Sequence, residues 1–155
     1  MPRLEDCFAA YGPYHRDRRN QITHFIGVPL LVFSVLLLLP LWLGAALTAA
    51  GTVYYCRFDF GLGIFLGGVF AALCGVAQYF SGAGVYLTAG TAFVVGWAFQ
   101  FLGHYWEGRK PAFVDNLTQI FNAPVFLGAE FLFLIGWRRD LARRVTSLRP
   151  SGSRC

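Results

Sequence analysis

The sequence predicts an all-α fold: a polytopic transmembrane helix bundle of four short spans, followed by a re-entrant or fifth C-terminal helix pair. Three observations predict it. Of the 155 residues, 56% are hydrophobic and 14% charged, whereas soluble domains carry about 25% charged residues. The apolar residues run in long blocks instead of alternating, the pattern of helices in lipid. Between Phe25 and Phe101 the only charged residues are Arg57 and Asp59.

The elements follow in order. Residues 1–24 carry Arg3, Glu5, Asp6, Arg16, Asp17, Arg18 and Arg19, so no short apolar signal core follows the N-terminus. This segment is expected to be cytoplasmic. The apolar blocks are then Phe25–Gly51, Phe60–Phe80, Gly84–Gly103 and Phe121–Trp137. Taking the first block as one crossing places His24 and His104 on opposite faces and leaves Arg57, Arg109 and Lys110 outside, against the positive-inside rule. Splitting it at Pro40 removes the conflict. Ile26–Leu39 goes out and Leu41–Cys56 returns to a cytoplasmic Arg57-Phe58-Asp59 turn. Gly61–Phe80 goes out, and Val85–Gly103 comes back. Both outer turns, at Pro40 and at 81–84, are then uncharged. The first two spans are shorter than the usual ~20 residues, which packing or local bilayer thinning accommodates.

The last block is interrupted at Asn122-Ala123-Pro124, and Arg138, Arg139, Arg143 and Arg144 follow it. These arginines favour a cytoplasmic C-terminus. The segment is therefore either re-entrant, bent at Pro124 and shielded from lipid by protein, or a true fifth span. The organisation read here is residues 1–24 with a first His motif, a membrane bundle over 25–137 with a second motif at 103–116, and a basic, disordered tail over 138–155.

The polar residues left over point to chemistry. All three histidines of the chain, His15, His24 and His104, fall in one layer at the cytoplasmic interface. Asn20 lies four residues before His24 and Glu107 three after His104, so each pair shares a helix face. Neutral imidazoles with a carboxylate suit a divalent transition metal, with ferrous iron and zinc both compatible. Headgroup or water contact is the competing reading of interfacial histidines. Arg109 and Lys110 could hold the carboxylate of an acyl substrate or serve orientation and headgroup contact. Asp115 and Asn116 could support the imidazoles from behind or cap the following helix. Glu130, inside "FLGAEFLFLIGW", is expected to point inward toward Gln100, Asn122 or the metal layer, because lipid penalises its charge. Gln78 and Gln100 are expected to be buried between helices, and Trp42, Trp97, Trp106 and Trp137 to anchor span ends. The scattered cysteines form no CxxC pair, and the net charge of +5 sits largely in the tails. No motif joins those basic residues into a nucleic-acid site.

The two motifs together resemble a known family. "YHRDRRNQITHFIGVPL" is similar to its first signature, and "GWAFQFLGHYWEGRKPAFVDNLTQIFNAPVFLGAEFLF" to its second. This is the 2-hydroxy fatty acid dioxygenase family, named for the metabolism of phytosphingosine to odd-numbered fatty acids. The resemblance covers about Tyr14 to Trp137. Trp106 stands where a smaller apolar residue or Phe is common, and the arginine-rich tail is unmatched. What the resemblance implies is an iron(II)-dependent enzyme that uses molecular oxygen to shorten a 2-hydroxy fatty acid by one carbon. By position, His15, His24 and His104 match the family's metal-binding histidines. Glu107 matches its glutamate, as ligand or acid–base group, and Asn20 its asparagine; these two are read as catalytic. The implied setting is a bacterial inner membrane or the endoplasmic reticulum, with the site on the cytoplasmic side. The rival readings are a b-type haem protein and a non-catalytic lipid-binding or scaffold protein.

Overall fold

The computed structural model describes residues 4–137 together with 139, 142, 143 and 145; most of the basic tail lies outside the described residues. The fold is all helical. Four long helices run up and down: α2 (Arg18–Leu37), α3 (Leu41–Cys56), α4 (Phe60–Ala77) and α5 (Gly84–Glu107). They are preceded by α1 (Leu4–Tyr11) and followed by a single turn, α6 (Ala112–Asp115), a 3-10 segment (Leu117–Phe121) and α7 (Asn122–Leu134).

The helix boundaries have local causes. Asp17 caps α2 by accepting the Arg19 amide at 2.8 Å, and Asp59 caps α4 by accepting the Leu62 amide at 3.0 Å. Each satisfies an N–H that the first helical turn leaves without a partner. Pro40 stands at the start of α3 with φ −62°, and the first apolar block breaks there as its charge pattern requires. Gly108 ends α5 in the left-handed region at φ +68°, where a Cβ would be strained.

Small residues set the packing. Helices α3 and α4 form an antiparallel pair in which a Cβ at Gly63 would strike Cys56, one at Gly67 Thr52, and one at Gly44 the Cys74 sulfur at 3.0 Å. Helices α2 and α5 form a second pair. There Gly27 faces Gly96 and Gln100, and Gly103 faces Asn20 and Thr23. Close backbone approach of this kind is how helices associate where lipid offers no hydrophobic drive. The pairings place Arg18, Cys56, Phe60 and Glu107 at one end of the bundle and the Pro40 and 81–84 turns at the other. By length and mean hydropathy, α2, α4, α5 and the stretch Leu117–Leu134 could each cross a membrane, while α3 has 16 residues. Pairing along α4 carries α3 over the same height.

The C-terminal segment does not run the length of the bundle. Helix α7 packs on α1 and α4. Phe121, just before it, lies 6.3 Å from the Tyr54 ring, and Trp137, just after it, stands against Gly61. Both ends of α7 therefore sit at the end of the bundle where α2 begins. Pro124 falls in the first turn of α7, where a missing N–H is tolerated, so the expected bend at this proline is instead a helix start. Beneath α7 lies an apolar core of Leu4, Phe8, Tyr11, Leu62, Leu66 and the fully buried Phe126.

Two expectations are corrected. Gln78 is exposed and bonds to Cys74 of its own helix, because it closes α4 instead of lying within it. Trp97 is not at a span end; it stacks with Phe101 and meets Phe93 and Phe113 along α5.

Candidate metal centre

The three histidines come from three places. His15 lies in the connection between α1 and α2, His24 in the second turn of α2, and His104 in the last turn of α5. All are buried, at 1%, 2% and 6% exposure. Their ring centroids form a triangle of 4.5, 5.0 and 5.0 Å, and one ligand atom from each lies within 4.8 Å of the others.

The hydrogen bonds decide what this triangle can do. His15 donates from Nδ1 to the Tyr11 carbonyl at 3.2 Å, and His24 from Nδ1 to the Asn20 carbonyl at 2.9 Å. Each uses the carbonyl four residues earlier. With Nδ1 protonated, each neutral ring presents a bare lone pair at Nε2. Those two Nε2 atoms face each other at 3.1 Å. Two acceptors at that distance repel unless something positive lies between them. An ion about 2.1 Å from each nitrogen would set them about 3.0 Å apart in a cis octahedral arrangement and about 3.4 Å apart in a tetrahedral one. The observed spacing falls between. The Nδ1 of His104 is also buried without a hydrogen-bond partner. The donor set fits a divalent transition metal.

Burial, the proximity of His24 and, less strongly, that of His104 hold the His15 imidazolium well below the usual histidine range, despite the opposing bond to Tyr11. The ring is neutral, as a ligand must be. It is also fixed in place: Tyr11 stacks on it at 4.0 Å, Phe126 lies 5.6 Å away, and its carbonyl accepts from Gln21 at 2.9 Å. Two axial imidazoles of a haem must flank a macrocycle, and no plane fits between the His15 and His24 Nε2 atoms.

Glu107 stands beside this cluster with its carboxylate already engaged. It accepts the Arg16 amide at 2.9 Å, the Asp17 amide at 2.8 Å and the Asn20 side-chain amide at 3.1 Å. Asn20, fully buried, also donates to the Tyr14 carbonyl at 2.9 Å. Together they tie the end of α5 to the segment that carries His15.

The remaining expected residues lie farther out. Asp115 accepts from Tyr14 at 3.0 Å and pairs with Lys110, which links the loop after α5 to the residue before His15. Asn116 caps the 3-10 segment through Thr118, and Arg109 is exposed. Glu130 sits half-buried on α7. The sequence reading did not single out Tyr11, Gln21, Thr23 or Phe126 as supports of the site. Tyr11 had a signal, since it precedes His15 by the same four residues that separate Asn20 from His24.

A cavity of about 780 Å³ opens from this cluster, with His24, His104 and Gln100 in an otherwise largely apolar wall.

Comparison with known proteins adds two findings. Residues 1–135 match a family model described as "2-hydroxy-palmitic acid dioxygenase Mpo1-like". The chain is 34% identical over 144 residues to the 2-hydroxy-palmitic acid dioxygenase MPO1 of Saccharomyces cerevisiae, covering 86% of this chain and 82% of the yeast protein. No solved structure matches.

Proposed function

The chain belongs to the Mpo1-like family, and from that premise we propose that it is an iron(II)-dependent dioxygenase that cleaves 2-hydroxy fatty acids to acids one carbon shorter. The observation that carries the reading is the pair of unprotonated Nε2 atoms of His15 and His24 facing each other at 3.1 Å. With His104 they would hold the ion. Ferrous iron, when bound, supplies the one-electron chemistry that lets molecular oxygen react with a closed-shell organic acid. A 2-hydroxy acid and O2 balance as the shortened acid, carbon dioxide and water. The substrate's four-electron oxidation matches what O2 takes up, so no external reductant is needed.

This chain's own residues do the rest. Glu107 and Asn20 hold the His15 segment against α5. Arg109 and Lys110, in the loop directly after α5, attract the substrate carboxylate, and Asp115 holds Lys110 in place. The alkyl chain lies in the apolar cavity, which keeps water from the reacting carbons. Arg16, Arg18, Arg19, Arg57, Arg109 and Lys110 all fall at the histidine end, which supports a cytoplasmic site.

The test is anaerobic purification, addition of ferrous iron and 2-hydroxypalmitate, then air. Pentadecanoate should form with wild type and not with His104→Ala. A wild type that makes no more product than this variant would refute the reading.

A further inference from the structure

Helix α2 packs along α5 and α3 packs along α4, whereas α2 and α3 diverge from their shared turn at Pro40. The cavity fills the wedge between them. Its apex is apolar, lined by Leu36, Leu39 and Leu47; a Cβ at Gly44 would lie 3.6 Å from Leu36. Its base is the histidine layer, with Tyr55 of α3 beside His24 and His104 of the opposite wall.

We propose that this wedge measures the acyl chain, and that Gly51 and Thr48 on α3 determine which chain lengths are accepted. The proposal rests on the dioxygenase reading for the identity of the head group. From His24 to its end at Leu37, α2 rises about 20 Å at 1.5 Å per residue. An extended hydrocarbon advances about 1.3 Å per carbon, given a C–C bond near 1.5 Å and a tetrahedral zigzag. The wedge therefore takes a chain of about fifteen carbons, with its head at the imidazoles and its methyl end under the Pro40 turn.

Gly51 lines the wedge one helical turn from Tyr55, and Thr48 lies three residues nearer the apex. The nearest atom to a Cβ at Gly51 would be the Tyr55 Cε2 at 3.8 Å, an ordinary contact. A Cβ there meets no neighbouring helix, and a larger side chain occupies space the hydrocarbon would use. The two positions grade the wedge, since a plug at Gly51 shortens it more than a plug at Thr48.

The experiment compares wild type, Gly51→Leu and Thr48→Phe, with Gly68→Leu as control because Gly68 is exposed, has open space around it and does not line the wedge. Iron-loaded enzyme in detergent is given 2-hydroxy acids of six to twenty carbons, and displacement of a fluorescent fatty acid by the same series is read in parallel. Gly51 stands about 6 Å above the level of Tyr55, so Gly51→Leu should lose affinity for the sixteen-carbon acid by about tenfold or more while keeping the six-carbon acid within about twofold. Thr48→Phe should fall between, and Gly68→Leu should match wild type. Length profiles unchanged in both α3 variants, in product or in displacement, would overturn the ruler even if wild type makes the shortened acid. Graded displacement without product in wild type would leave the ruler standing and sink the dioxygenase reading. Helicity by circular dichroism identifies a variant that fails to fold, in which case the other carries the comparison.

Discussion

The carboxylate of Glu107 accepts the backbone N–H of Asp17 at 2.8 Å, and its other oxygen accepts the neighbouring Arg16 amide at 2.9 Å. His104 lies one turn earlier on α5, and His15 directly precedes Arg16. The carboxylate therefore fixes how far apart two of the imidazoles stand. Glu107→Gln leaves one acceptor oxygen for donors that now use two. It is expected to weaken metal binding by about ten- to a hundredfold without changing the number of nitrogen ligands seen by X-ray absorption. Loss of an oxygen scatterer on substitution would instead make Glu107 a ligand.

Removing the metal has its own signature. Two lone pairs facing at 3.1 Å destabilise the ion-free protein, so ferrous iron should raise its melting temperature. At a hundred times the dissociation constant the gain is about 2.7 kcal/mol. A chelator should reverse it, and His24→Ala should abolish both the shift and stoichiometric iron by elemental analysis. An equal shift in His24→Ala would place the ion elsewhere.

Acid should act on the same protein in a defined direction. Burial keeps His15 neutral when folded, whereas the unfolded chain takes up a proton below about pH 6.5. The folded-state pKa is depressed, so this contribution is complete above about 6.5 and is lost as pH falls below it. Urea titrations of ion-free protein at pH 7.5 and 5.5 should show lower stability at 5.5, and the difference should shrink in His15→Gln.

Much of this arrangement could be read from the sequence because charge is scarce. With Arg57 and Asp59 alone inside the apolar run, the placement of basic residues required a break at Pro40, and α2 ends three residues before that proline. Helix α1 escaped notice although Leu4, Cys7, Phe8 and Tyr11 follow helical spacing and are all buried. A search for long hydropathic blocks passes over eight residues that include Glu5 and Asp6. The histidine layer was legible because one topology brings all three histidines to one end. The hydrogen bonds of Glu107 to the His15 segment were not, because two of its three donors are backbone amides, which any residue could supply. The engagement of Lys110 with Asp115 depends on the path of the loop after Gly108, which composition does not specify, whereas the Asn116 cap is local and was one of its two expected readings.

The glycines separate packing from chemistry. A Cβ at Gly103 would run into Thr23 Oγ1 and Asn20 Oδ1. Neither can retreat easily, since Thr23 bonds to the Asn20 carbonyl at 2.8 Å and Asn20 is fully enclosed. Gly103→Ala should cost about 1–3 kcal/mol and lower iron content by parting α2 from α5 beside His104. Gly63→Ala should cost a similar amount against Cys56 of α3 yet leave iron content intact. Gly68→Ala, with open space around it, should stay within about 0.5 kcal/mol of wild type. Melting curves and metal analysis on the three variants check this; equal iron loss in Gly63→Ala and Gly103→Ala would mean general unfolding instead of a local effect.

The path of α7 gives a test of topology. Leu117–Leu134 is long and apolar enough to cross a membrane, but Phe121 meets Tyr54 and Trp137 meets Gly61, both contacts at the histidine end. The segment bends back because Phe126, fully buried, packs against His15 and Phe8 of α1, with Val125 enclosed in the same core. A crossing helix would carry them away from that core. In a cysteine-free background, Thr118→Cys and Ile135→Cys, both exposed, should react with an impermeant maleimide from the same side of sealed vesicles. Arg57→Cys should share that side, and Ser81→Cys should react only from the other. Labelling of position 135 with position 81 would make α7 a fifth span and remove the floor on which His15 rests.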